Sequence, residues 1–168
     1  METNLTLRDY VLAIIKLGSS RDGEFRYKTR IHKILFILAH EFEELSNLHS
    51  DFIPYHFGPW SYEVESTIKE LIHLGFLEEK LDKRDEIDGL QHTGYVYIYR
   101  LTRAGRVLAE RAVKKLSPKI RERIKELLKL NLWTLIGYVY IRYPEYATRS
   151  VLADDELTPR RREISSTT

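Results

Sequence analysis

The chain contains no cysteine, one methionine, one glutamine and three asparagines in 168 residues. Without a thiol there is no thiolate nucleophile, no cysteine-bound zinc and no disulfide scaffold, and the composition fits a reducing compartment. No run approaches the roughly 18 consecutive apolar residues of a membrane span. Met1 to Thr6 lacks the basic-then-apolar layout of a secretory leader. The expected address is therefore the cytoplasm, away from any membrane. Internal repeats are missing as well. What is present is 43% hydrophobic and 31% charged, enough for one globular domain that buries roughly 70% of its unfolded surface without a metal or disulfide. Many charges together with few Asn, Gln, Met and Cys is the bias of a thermophile's protein.

The net charge of +2 conceals a strong asymmetry. Residues 41–89 carry 4 basic and 13 acidic side chains, whereas residues 102–131 carry 10 basic and 3 acidic ones. An acidic middle followed by a basic region says more about partners than the total does.

Apolar periodicity marks the elements. Leu7, Tyr10, Val11, Ile14 and Ile15 recur at helical spacing behind Thr6, with Asp9 positioned to complete a capping box. Gly18 to Ser20 end that helix. Arg21 to Lys28 reads as a charged loop, and Thr29 as the cap of a second helix whose face is Ile31, Ile34, Leu35, Leu38, Phe42 and Leu45. Two prolines and a glycine make Phe52 to Trp60 extended, and Ser61 caps a third helix through Val64, Ile68, Leu71 and Ile72. Phe76 to Leu81 and Tyr95 to Leu101 alternate as strands, giving a hairpin with a long charged loop, Asp82 to Gly94. Thr102 caps a fourth helix (Ala104, Val107, Leu108, Ala112), and Ser117-Pro118 opens a fifth. A sixth apolar segment from Trp133 to Tyr143 is stopped by Pro144.

Three helices, a two-stranded hairpin and further helices make an α+β, mainly helical chain. The order is that of a winged helix, a helix-turn-helix with a two-stranded wing, with a C-terminal helical extension. The expected division is a core over 1–101, C-terminal helices over 102–152 packing on the core or in a dimer, and a disordered polar tail over 153–168 that includes Arg160 to Arg162. Leu71 to Glu79 resembles the join of recognition helix and wing in that fold, and Tyr99 to Gly105 resembles the return from wing to helix in multiple-antibiotic-resistance-type and phenolic-acid-type regulators.

Three further words carry a narrower resemblance: Thr29 to Phe36, Tyr55 to Ser61 (Tyr-His-Phe-Gly-Pro-Trp-Ser) and Tyr138 to Tyr146. Together they resemble the YwgA-like proteins of bacteria and archaea and, more distantly, the Panacea domain of antitoxins, over roughly Leu7 to Ser150. His32 stands where those families usually carry Gln. The resemblance implies a winged-helix-like core that binds DNA or protein, and no particular activity.

Under a double-stranded DNA reading, Tyr62, Ser66, Thr67, Lys69 and His73 face the major groove from the third helix. Lys80, Lys83 and Arg84 bring the wing to phosphate, Arg26, Lys28, Arg30 and Lys33 anchor the second helix, and Arg103 and Arg106 add the start of the fourth. Glu63, Glu65 and Glu70 on the same third helix oppose this, because affinity for DNA comes from neutralising phosphates. The competing reading is an adaptor or antitoxin-like module that binds a protein through that acidic helix and the aromatic turn. The aromatic stretches Tyr55 to Trp60 and Tyr138 to Tyr146 suit core or dimer packing better than base stacking, and the last helices are expected to form a homodimer. His32, His40, His49 and His56 have no metal-ligand spacing, and no Gly-x-Ser-x-Gly or Walker-type loop occurs. Neither catalysis, metal nor cofactor is expected.

Overall fold

The computed structural model describes residues 4–55, 58–87 and 90–147, without the side chains of 49–51 and 83–95. His56, the His49, Lys83 and Arg84 side chains, and the 153–168 tail therefore lie outside what is described. The chain is mixed α+β and mainly helical.

Helix α1 (Leu7–Gly18) begins with the capping box read from Thr6 and Asp9, each side chain meeting the other's backbone N–H. Tyr10 to Ile15 are all buried, not one stripe, because α1 is covered from several sides by other helices. The expected loop after it contains a short strand, β1 (Glu24–Arg26), and helix α2 (Lys28–Glu41) follows at once. Thr29 does not cap α2. The cap position is Tyr27, at a left-handed φ of 72°, and its N–H donates to the Tyr97 carbonyl at 3.0 Å. A hydrogen bond to a strand seventy residues away thus sets the start of α2. Ile31 to Ala39 are buried without interruption, which makes α2 the centre of the molecule.

Past Glu41 a 3-10 helix (Glu43–Asp51) takes over, so Leu45 reaches the core from outside α2. The expected extended segment is a two-stranded ribbon, β2 (Phe52–Tyr55) against β3 (Gly58–Ser61), with Pro54 opposite Pro59. Ser61 Oγ then accepts from Val64 N–H and starts α3 (Tyr62–His73). Gly75, at φ 82°, turns the chain into β4 (Leu77–Ile87), which pairs antiparallel with β5 (Leu90–Leu101). The charged loop expected over 82–94 is instead mostly ladder: pairing runs out to Ile87 opposite Leu90, with one irregularity between Arg84 and Glu86. Strand β1 adds to the far side of β5, giving the order β1-β5-β4.

Helices α4 (Arg103–Lys115), α5 (Pro118–Leu128) and α6 (Leu132–Arg142) complete the chain with a 3-10 turn, Pro144–Ala147. Thr102, Ser117 and Asn131 cap them. On α4 the buried face is Gly105, Ala109 and Ala112, while Ala104 and Val107 are exposed, so the expected face is rotated. Small residues let α4 lie close on α1 and let Gly105 meet the Phe76 carbonyl. One hydrophobic cluster runs through α1, α2, α3, the sheet and α4 to α6. Phe36 at its centre is packed by Phe52, Tyr143 and Tyr146, which fastens the C-terminal turn onto the ribbon. Among the described residues no helix is long and apolar enough to cross a membrane.

Candidate functional site

Five elements converge on a cavity of about 320 Å³. The first turns of α2 bring Lys28, His32 and Lys33 to it, Lys28 and His32 four residues apart on one face and Lys33 the next residue round the helix. The β2–β3 ribbon contributes Tyr55 and Trp60, α3 contributes Glu65, β5 Tyr97, and α6 Trp133 with Leu132 and Ile136. The Trp60 ring lies over His32, with centroids 5.4 Å apart and planes 15° from parallel. Tyr55 and Tyr62 pack against other parts of the same indole, at 5.3 and 4.5 Å. Gly58 carries a φ of 102°, and a Cβ there would lie 2.9 Å from the Tyr140 ring and 3.1 Å from Lys33 Nζ. The ribbon thus passes directly over the lysine.

The polar groups are tightly interlocked. Lys28 Nζ donates to Glu65 Oε1 at 2.7 Å and sits 3.8 Å from the Tyr97 ring centroid. The Ser61 N–H donates to His32 Nδ1 at 3.2 Å, which makes Nδ1 an acceptor and leaves the ring proton on Nε2. That nitrogen faces Glu65 Oε2 at 3.5 Å, the outer limit of hydrogen bonding. A second proton on His32 would have to displace the Ser61 N–H. Burial lowers the His32 pKa below its ordinary value, against the pull of Glu65. For Glu65 burial works upward, but bonding to His32 and Lys28 and the charge of Lys28 bring the carboxyl down to about 2. Lys33 is 1% exposed, and burial pushes its ammonium down to about 7. A small apolar cavity with a few convergent polar groups, one of them with a strongly displaced pKa, has the properties of a small-molecule site.

The residues expected to touch DNA are dispersed by the fold. Lys33 is buried and Lys28 is held by Glu65, so both line the cavity instead of a surface. Arg30 donates to the Leu128 and Leu130 carbonyls, at 2.8 and 2.9 Å, and so finishes the C-terminal end of α5. Arg26 is half exposed and ion-paired with Glu24. Those four cations do not form a phosphate-facing row, because α2 is central and its basic side chains serve the interior. On α3, Tyr62, Ser66, Lys69 and His73 are exposed and Thr67 half-buried, its hydroxyl donating to the Glu63 carbonyl. Arg103 and Arg106 are exposed at the start of α4. That start is tied to the end of α3, since Thr102 Oγ1 donates to the Gly75 carbonyl at 2.7 Å.

Of the ten basic residues over 102–131, Arg121 and Arg123 are taken up internally. Arg121 donates to the Val113 carbonyl at the end of α4, and Arg123 grips Glu41 with two bonds of 2.8 Å. The cavity cluster was not recognised in the sequence as a site. Its signal was His32-Lys33 standing inside the otherwise apolar run from Ile31 to Ala39. Among the described residues no three of His, Asp and Glu gather to hold a metal ion. In comparisons with protein-family models, curated proteins and solved structures, none matches this chain.

Proposed function

We propose that the chain is a DNA-binding winged-helix regulator of the YwgA-like kind, non-catalytic and cytoplasmic, with 1–101 as its core and 102–152 as a helical extension. The observation that carries the reading is the order α1-β1-α2-α3-β4-β5, with the 3-10 helix and the β2–β3 ribbon inserted between α2 and α3, together with the sheet order β1-β5-β4. In a helix-turn-helix the second helix of the pair reads the groove, and α3, directly before the hairpin, stands in that position. The acidity of α3 is also less of an obstacle than its composition suggests. Glu70 is paired with Arg8 of α1 and Glu65 with Lys28 of α2, which leaves Glu63 on the outer face beside Ser66 and Lys69. Tyr62, Ser66, Thr67 and Lys69 read bases, and Arg103 and Arg106, joined to the end of α3, contact phosphate. Kinship with the YwgA-like proteins rests on the three sequence words, which converge: Lys33 and Tyr140 flank Gly58, His32 accepts from Ser61, and Phe36 packs on Tyr143 and Tyr146.

The test is fluorescence anisotropy with random duplex DNA. If about four phosphates are neutralised, affinity falls roughly hundredfold between about 50 and about 200 mM salt. The double change R103E/R106E weakens binding to all sequences, and K69E weakens it further. Absence of binding at low salt overturns the reading.

One observation favours a protein-binding adaptor instead. Tyr55 and Tyr62, 44% and 68% exposed, flank Trp60 beside Glu63, an aromatic and acidic outcrop of the kind a protein partner buries. A homodimer through the last helices belongs to the main proposal, with Val107 and Ile141 as its exposed apolar anchors on α4 and α6. Most of the apolar surface of those helices is already buried within the chain.

A further inference from the structure

Beyond DNA binding, the cavity between α2, the β2–β3 ribbon and α6 has a charge pattern of its own. Among the described residues two lysines, Lys28 and Lys33, line it against one carboxylate, Glu65, and its histidine, His32, is kept neutral by burial, with Nδ1 accepting from the Ser61 N–H. With both lysines protonated the lining therefore carries one positive charge in excess. The rest of the described lining is mainly aromatic and apolar, with Trp60, Trp133, Tyr97, Leu132 and Ile136, and includes the hydroxyl groups of Thr29 and Tyr55. At about 320 Å³ the space lies at the lower end of small-molecule sites. It has room for one or two rings and not for a nucleotide or a peptide.

We propose that this cavity binds a small planar carboxylate, an aromatic acid of one or two rings, with its ring between the tryptophan and tyrosine walls and its carboxylate against Lys33. A cation in a low-dielectric pocket attracts an anion far more strongly than one in water, and a charge-assisted hydrogen bond fixes its orientation. A neutral ligand of the same shape gains only the ring contacts. Lys28 remains with Glu65 and adds to the positive field without having to move. Binding also makes the protonated lysine the favoured state, so above about pH 7 the anion brings one proton in with it. Among the described residues the titratable groups that face Lys33 or share its cavity include Lys28 and His32 of α2, Tyr27 before it, Glu65 of α3, Tyr55 of β2, Tyr97 of β5 and Tyr140 of α6. Glu65, held at about 2, keeps its charge throughout the neutral range, and His32, with its pKa lowered, is uncharged there. The loss of affinity on raising the pH through about 7 therefore belongs to Lys33.

The chain has two tryptophans and both line the cavity, so the whole tryptophan emission reports on it. The experiment titrates benzoate and phenylacetate into the intact chain without DNA, with excitation selective for tryptophan and calorimetry alongside. Benzamide serves as the neutral counterpart. A saturable change is expected with the acids at about pH 6, more than tenfold weaker at about pH 8.5 as the lysine loses its proton, and none with benzamide. Lys33→Met should lose the response while keeping the far-UV circular dichroism of the parent. The pH series on the unaltered chain keeps the test decisive if that variant misfolds. No saturable response at pH 6, an equal response to benzamide, or an affinity indifferent to pH overturns the proposal. Because no DNA is present, these outcomes are independent of the regulator reading.

Discussion

Lys33, His32 and Ser61 are the buried polar residues among those described, and they lie within one small region. Of the three, Lys33 makes the sharpest prediction. Its ordinary pKa of 10.5 is brought to about 7 by burial, so between those values the unfolded chain holds a proton that the native chain has released. Stability then rises with pH across that window, and below about pH 7 the cost of the buried charge is paid in full. Lys33→Met should abolish the rise and stabilise the protein at about pH 6 by a few kcal/mol. Urea denaturation of both chains at several pH values between about 6 and 9.5 reads the difference. A parent chain with flat stability over that range would contradict the assignment. His32 and Glu65 act elsewhere on the scale. A lowered His32 costs stability as pH falls below the ordinary histidine range, and Glu65 costs it as pH falls from 4.5 towards 2.

At the scale of elements, what matters is how each helix is started and what its first turn leans on. Ser61 ends the ribbon, caps α3 and offers its N–H to His32, so one residue joins an element boundary to the cavity. Ser61→Ala removes the side-chain cap alone and should cost about 1 kcal/mol. The start of α4 is less tolerant. A Cβ on Gly105 would fall 1.9 Å from the Phe76 carbonyl oxygen, a backbone atom that can yield only if the α3–β4 turn moves. Gly105→Ala should therefore cost about 3 kcal/mol, the upper part of the range for overpacking. Chemical denaturation of the two variants side by side gives the comparison. Equal losses would mean that α4 is not held by the turn.

For the whole molecule, the continuity of the core decides how the chain unfolds. Val11, Ala13 and Ile15 of α1 belong to the same cluster as Ala109, Ile120 and Ile124 of the last helices, and Phe36 joins α2 to Tyr143 and Tyr146. Removing α4 to α6 would uncover faces of α1 and α2 that have no other cover. Thermal unfolding followed by tryptophan emission, from the ribbon and α6 together, should coincide with unfolding followed by helical circular dichroism, as for a single cooperative unit. A fragment ending at residue 101 should not fold. Two separated transitions would instead make 1–101 a domain in its own right.

Thr6, Ser61, Thr102 and Ser117 were legible as caps because a cap is settled by a side chain and a backbone N–H a few residues away. The run of buried residues in α2 was legible in part, since its apolar positions repeat at helical spacing. Features decided by distant partners were not. Strand β1 exists because β5 pairs with it, α2 begins at Lys28 because Tyr27 is bonded to Tyr97, and the charged run over 82–94 pairs because β4 and β5 stay laddered, with one shift of register, far beyond their apolar halves. The basic residues of α2 illustrate the same limit. By sequence Lys28, Arg30 and Lys33 form a cationic row, and in the fold they become an ion pair, a helix terminus and the floor of a cavity. The sequence by itself determined where the side-chain-capped helices start, because such a cap follows from contacts within one turn. Only the tertiary structure decided which charges meet water, because desolvation depends on every element packed around a group, and around Lys33 those elements come from five parts of the chain.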